Sequence, residues 1–187
     1  MFTEVNADGG VDCEMEYDMS ALVLDMRNVV TAKIMFASTY FGKFPTLINI
    51  ESKLKDAYRM FFNNWYIPSD YVCDALANAS GVENYGGTFR MYGGKSIVVN
   101  VDSATDCGAM FESCSNLENL TLNGTLKVSL SLASCNKLTM QSVENIIDHL
   151  ADLTDSTTQV ITLHTDIKSQ LTDEQIATIT NKNWTLA

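Results

Sequence analysis

Apolar residues return along this chain at an interval of about twenty-five positions. Met-Phe pairs stand at 35–36, 60–61 and 110–111. Three positions before the Met column, Ala32, Ala57, Val82 and Cys107 keep the same step, and Tyr85 fills the Met column where a methionine is missing. Leu22, Leu47, Val72, Ile97 and Leu122 keep it once more. A residue that returns to one column can stack on its predecessor, so segments too short to bury a face alone share one continuous core. A period in this range predicts a solenoid.

The local pattern fills in the elements. Residues 11–19 alternate apolar and acidic, with Val11, Cys13, Met15, Tyr17 and Met19 on one side and Asp12, Glu14, Glu16 and Asp18 on the other, which predicts a half-buried strand. Phe2 to Val5 is its expected hairpin partner across the Gly-rich segment 6–10. Such a hairpin caps the open N-terminal end, its carboxylate row discouraging edge pairing. Leu22–Leu24 and Leu47–Ile50 read as strands, each followed by a turn that carries Met-Phe. Residues 63–96 replace the columns with aromatics and glycines and are expected to loop, until Ile97–Val101 restores a strand. Leu120–Leu122 and Val128–Leu132 follow. Thr139 caps a helix whose Val143, Ile146, Ile147, Leu150 and Leu153 share one face. Val160–Leu163 is a strand, Thr172 and Gln175 form a capping box for a helix from Asp173 to about Asn181, and Trp184–Leu186 is a final strand. The expected fold class is α/β: one repeat domain over 1–187, with a mainly parallel sheet, an N-terminal cap over 1–21, irregular repeats over 22–138 and an α/β cap over 139–187.

Residues 104–122 read A-x-x-C-x-x-M-F-x-x-C-x-x-L-x-x-L-x-L. This string resembles the BspA-like leucine-rich repeats, in the twenty-five-residue Met-Phe-x-x-Cys variety found in surface and prophage proteins of bacteria. The resemblance is fullest over 97–138, extends to 30–62 and lapses over 63–96. It implies a non-enzymatic scaffold that binds protein or glycan partners in adhesion, at a cell surface or in the extracellular space. The alternative is a structural or host-contact part of a phage or prophage particle, and a hydrolytic enzyme is the remote third.

Composition narrows the partners. At 187 residues, with 46% hydrophobic content and a mean hydropathy of +0.01, the chain suits one globular domain with a sizeable core. A formal charge of −11 opposes the phosphate contacts that nucleic acids and anionic membranes require. No apolar run reaches the length of a membrane span, and the first residues lack a signal-peptide pattern, so neither insertion nor export by such a signal is expected from this chain. Five cysteines leave at least one unpaired. They read as small buried hydrophobes, a disulfide between neighbours being the alternative, and no metal or cofactor is expected because the Cys/His spacing of a zinc site does not occur.

Chemistry is sparse in the pattern. His149 and His164 stand fifteen positions apart without an evident partner, the glycine pairs 86–87 and 93–94 match no phosphate-binding loop, and Asp8, Asp12 and Glu14 fit no calcium-loop spacing. No catalytic residue is assigned. Aromatic residues crowd the stretches that leave the repeat, and binding residues concentrate on loops held by a rigid scaffold. Trp65, Tyr66, Tyr71 and Tyr92 are therefore expected to be exposed and to line a ligand-binding patch, with Arg90 as a nearby cation. Tyr85 and Phe89, nearer the core columns, are expected to fill space.

Overall fold

The computed structural model describes residues 17–39, 41–51 and 53–187. Its architecture is mixed α/β, made of short parallel strands and a few helices. In chain order these are β1 (Tyr17–Asp18), β2 (Val23–Asp25), β3 (Phe41–Lys43), β4 (Thr46–Ile48), β5 (Val72–Leu76), β6 (Ser96–Asn100), β7 (Asn119–Asn123), β8 (Leu130–Leu132), α1 (Met140–His149), β9 (Gln159–Leu163), α2 (Thr165–Lys168), α3 (Asp173–Asn181) and β10 (Trp184–Leu186). β1 pairs with β3 and β2 with β4, β5-β6-β7 form one three-stranded sheet, β8-β9-β10 form another, and every pairing is parallel. Parallel neighbours need a crossover between them, and here the crossovers carry the recurring turns. The expected N-terminal hairpin lies outside the described residues save for its last few positions, of which Tyr17–Asp18 pairs in parallel with β3.

The turns are built alike. Thr31, Asp56, Asn84 and Asp106 bridge one to the next in parallel. The side chains of the last three each accept the backbone N–H two residues on, at 3.0, 2.9 and 2.8 Å, so that an Asx turn starts each segment. Past that point the N–H groups of Ala32, Ile34, Phe36 and Ser38 donate to the carbonyls of Asp56, Tyr58, Met60 and Phe62. Ala57, Arg59, Phe61 and Asn63 donate in the same sense to Asn84, Gly86, Thr88 and Arg90, and Tyr85, Gly87, Phe89 and Met91 to Asp106, Gly108, Met110 and Glu112. The backbone takes positive φ at matching places, Ile34, Arg59, Gly87 and Ala109 in one column and Ser38, Asn63, Met91 and Ser113 in the other.

This register corrects the sequence reading of residues 63–96. The segment 85–92 is a turn of the same build, displaced because 28 residues, not 25, separate Arg59 from Gly87, while 22 separate Gly87 from Ala109. Tyr85 therefore belongs with Ala32, Ala57 and Cys107, and Thr88 takes the Met position. The Tyr85 ring replaces a small side chain, and its hydroxyl donates to the Asn100 carbonyl at the end of β6. The strand columns shift too. Leu24 pairs with Leu47, and Cys73, Ile97 and Leu120 align, as do Leu76, Val99 and Leu122, whereas Leu22 and Val72 lie exposed. A fixed twenty-five-residue step cannot hold where the crossovers differ in length.

A file of phenylalanines runs through the turns. Phe36 stacks on Phe61 with ring centroids 5.5 Å apart, Phe61 on Phe89 at 5.4 Å and Phe89 on Phe111 at 5.7 Å, the last two pairs within 4° of parallel. The spacing lies in the favourable range for aromatic pairs. Three residues past Phe36, Phe61 and Phe111, though not past Phe89, comes a side chain that satisfies carbonyls of the file: Thr39 and Asn64 donate to Phe36, Asn64 also to Phe61, and the Cys114 thiol to Phe89 at 2.9 Å. Cys135 reaches the Phe111 carbonyl more loosely, at 3.8 Å. The Phe-x-x-Cys spacing is thus a means of pairing a buried carbonyl, which is costly to leave alone.

The C-terminal part closes one side. Thr139 caps α1 by accepting the Ser142 N–H at 3.3 Å. The helix then stands where a further strand would pair with β7: Ser142 Oγ accepts the Leu120 N–H at 3.0 Å and Asn145 Oδ1 the Leu122 N–H at 2.7 Å. Its Val143, Ile146 and Ile147 enter the core. Lys182 caps the far end with Nζ bonds of 2.9 Å to the carbonyls of Ile147 and Leu150, and the Trp184 indole donates to Ala151. α3 starts at Asp173 under the reciprocal Thr172–Gln175 capping box, as its spacing predicts.

Candidate functional site

Asn64 anchors the segment that carries the most exposed aromatics. It is fully buried, and its amide uses both ends: Oδ1 accepts from the Thr39 N–H at 3.1 Å and lies 2.9 Å from the Thr39 hydroxyl, which it shares with the Phe36 carbonyl, and Nδ2 donates to Phe36 and Phe61. A buried amide so satisfied fixes its backbone. Asn63, at φ 59°, turns the chain outward in the left-handed region that asparagine tolerates. Gly93 then packs on the Trp65 peptide so closely that a Cβ there would lie 2.0 Å from the Trp65 carbonyl, while its own N–H donates to Asn64. Only glycine fits this approach.

On this clamped backbone Trp65 and Tyr66 project outward, 45% and 47% exposed. The indole N–H donates to Asn63 Oδ1 at 2.7 Å, and Asn63 Nδ2 donates to Ser38 Oγ at 3.0 Å. Ser38, Thr39, Asn63, Trp65 and Tyr66 line a cleft of about 220 Å³. Its lining combines two aromatic side chains with an amide and hydroxyls.

The other expected site residues lie elsewhere. Tyr92 is buried, contrary to expectation: its ring meets Phe89 edge-on at 5.8 Å, and its hydroxyl lies beside the Cys73 thiol without a well-formed hydrogen bond. Its position in the turn is the one Asn64 and Cys114 occupy in theirs, which points inward. Tyr71 is half-buried against Phe44, whose N–H its hydroxyl accepts at 3.3 Å. Burial pushes both phenols above their ordinary range, Tyr71 also feeling nearby Cys73. Arg90 is paired with Glu112 at 3.0 Å and is no loose cation beside the cleft. Ser38, Thr39 and Asn63 escaped the sequence reading; the signal was the Asn-Asn step before Trp65, which suits a backbone turning through the left-handed region.

The described cysteines and histidines have the following surroundings. Cys73, Cys107, Cys114 and Cys135 are free and buried. Burial pushes the Cys73, Cys107 and Cys114 thiols up to about 12 and Cys135 higher still, so they are not thiolates at neutral pH. His149 Nδ1 lies 2.7 Å from the Asn145 carbonyl, and His164 accepts the Asp166 N–H at the start of α2. Among the described residues no cluster of three or more His, Cys, Asp or Glu is placed to hold a metal, and no helix is long and apolar enough to cross a membrane. No family model, curated protein or solved structure matches the chain.

Proposed function

We propose that the chain is a leucine-rich-repeat solenoid of the BspA-like kind and acts as a non-enzymatic binding module that engages a protein or glycan partner in adhesion. Supporting the architecture are the parallel register of successive turns, the phenylalanine file and the Phe-x-x-Cys pairing. One observation carries the binding role: Trp65 and Tyr66 stand exposed on a backbone held by Asn64 and Gly93. Rigid aromatic anchors lose little entropy when a partner is bound, and such residues dominate interface energetics.

The test is capture of partners from bacterial-surface and extracellular-matrix fractions by the immobilised chain, compared with Trp65→Ala and Tyr66→Ala. Loss of about 1–3 kcal/mol of binding with an unchanged melting temperature is expected. Binding indifferent to both substitutions places the contact elsewhere. Self-assembly of the pure chain into large regular particles without partner capture favours the structural role in a phage particle.

A further inference from the structure

We propose that the Trp65 cleft takes an uncharged carbohydrate, with one sugar ring lying against the indole. The inference rests on the reading of this cleft as the binding site and names its ligand class. Four observations carry it. The indole is oriented by its own bond to Asn63, so the ring is a fixed flat platform. Among the described residues Asn63 and Ser38, joined at 3.0 Å, have further capacity at the rim: Asn63 Nδ2 keeps a second N–H and Ser38 its hydroxyl proton. A sugar presents the matching surface, C–H faces for the aromatic ring and hydroxyls, each donor and acceptor, for the amide and the serine.

Charge decides which sugars. Ser38, Thr39, Asn63, Trp65 and Tyr66 include no residue charged at neutral pH, while the chain as a whole carries −11. Arg90, whose carbonyl accepts the Asn63 N–H, has its guanidinium held by Glu112. Among the described residues lining the cleft none therefore neutralises a carboxylate or sulfate, and the net negative charge of the chain disfavours one. Size points the same way: about 220 Å³ is below the roughly 300–1,000 Å³ of pockets that enclose a whole small ligand. The cleft suits one unit of a longer chain. Protein anchors prefer apolar, fully desolvated pockets, whereas this rim is amide and hydroxyl.

The experiment follows the side-chain N–H signals of the two tryptophans in the isotope-labelled full chain. Trp184 is buried with its N–H on Ala151 and serves as the internal control. The probes are di- and trisaccharides of glucose, galactose, mannose and N-acetylglucosamine, together with sialylated and sulfated forms of the same chains. At least one neutral probe should shift the Trp65 signal saturably and leave Trp184 in place. Its sialylated or sulfated form should bind more weakly, and Asn63→Ala should weaken it by about tenfold. A Trp65 signal that no neutral probe moves, or that only anionic probes move, overturns the sugar assignment. If a deglycosylated protein partner is captured in a Trp65-dependent manner while no sugar binds, the site stands and its ligand class is wrong. Capture insensitive to both Trp65→Ala and Asn63→Ala overturns the site itself.

Discussion

The two ends of the described chain are finished differently, and the middle shows what each end lacks. In β5-β6-β7 the inward residues Cys73, Leu76, Ile97, Val99, Leu120 and Leu122 are all essentially inaccessible, because turns or strands cover them on both sides. In the two-stranded pair β2-β4 the inward residues Leu24 and Leu47 are only partly buried, and the first turn leaves Val30, Ile34 and Met35 exposed. At the other end α1 covers the core and pairs the outer amides of β7 with side chains. Burial in this architecture comes from neighbours along the stack, so residues of like sequence differ in worth according to their place in it.

The largest test of that contrast is alkaline pH, because the buried thiols and the phenols of Tyr85 and Tyr92 belong to the middle and the C-terminal side. Below the ordinary thiol pKa of 9.0 the folded and unfolded states are equally protonated. Between there and about 12 the unfolded chain loses protons that the folded chain keeps, so stability falls as pH rises. Each such group costs about 1.4 kcal/mol per pH unit, against a typical total of about 5–15 kcal/mol. Cooperative unfolding before pH 12, followed by near-UV circular dichroism, is expected. A flat signal through that window contradicts the burial of the thiols.

Phe111→Ala comes next, at about 3–5 kcal/mol in denaturant titrations, since it opens a cavity at a position with no exposed surface. Phe36→Ala, in the first turn where Ile34 and Met35 stand exposed and where Phe36 itself is 5% rather than 0% accessible, should cost less. Equal losses would erase the distinction between middle and end. Asn145→Ala leaves the Leu122 amide without its 2.7 Å acceptor and should cost about 1–3 kcal/mol. Trp65→Ala is the smallest: it should leave the melting temperature nearly unchanged, because the clamp on residue 65 holds its backbone rather than its ring.

Much of the order was legible because periodicity and capping are local signals. The Met-Phe columns located the core at Met60, Phe61, Met110 and Phe111, and Thr139 and Thr172 marked where helices begin. Register over 63–96 was not legible. Three extra residues between Arg59 and Gly87, offset by three fewer before Ala109, displace the side chains of the turn at 85–92 while leaving its backbone geometry intact, so a fixed step assigned Tyr85 to the wrong column. Tyr92 was expected outside for the same reason. Thr39, Asn64, Tyr92 and Cys114 occupy one place in four turns yet share no composition; three of them share the ability to donate to a nearby carbonyl, which appears only once the turns are stacked. Of the expected patch, Trp65 and Tyr66 stand in the open, and the polar partners that shape their cleft come from a turn twenty-five positions earlier as well as their own.

The bonds between turns join Ala32 to Asp56, Ala57 to Asn84 and Tyr85 to Asp106, separations of 24, 27 and 21 residues. Loop-closure entropy changes only slowly with length, so no turn is much harder to close than the next, and none requires the two chain ends to meet first. Folding can then begin at any well-packed neighbouring pair and spread by adding one turn at a time. Opening should run the same course in reverse. Amide hydrogens of residues 32–38, in the turn that leaves Ile34 and Met35 exposed, should exchange with solvent through local fraying, while those of 85–91 await opening of the whole molecule.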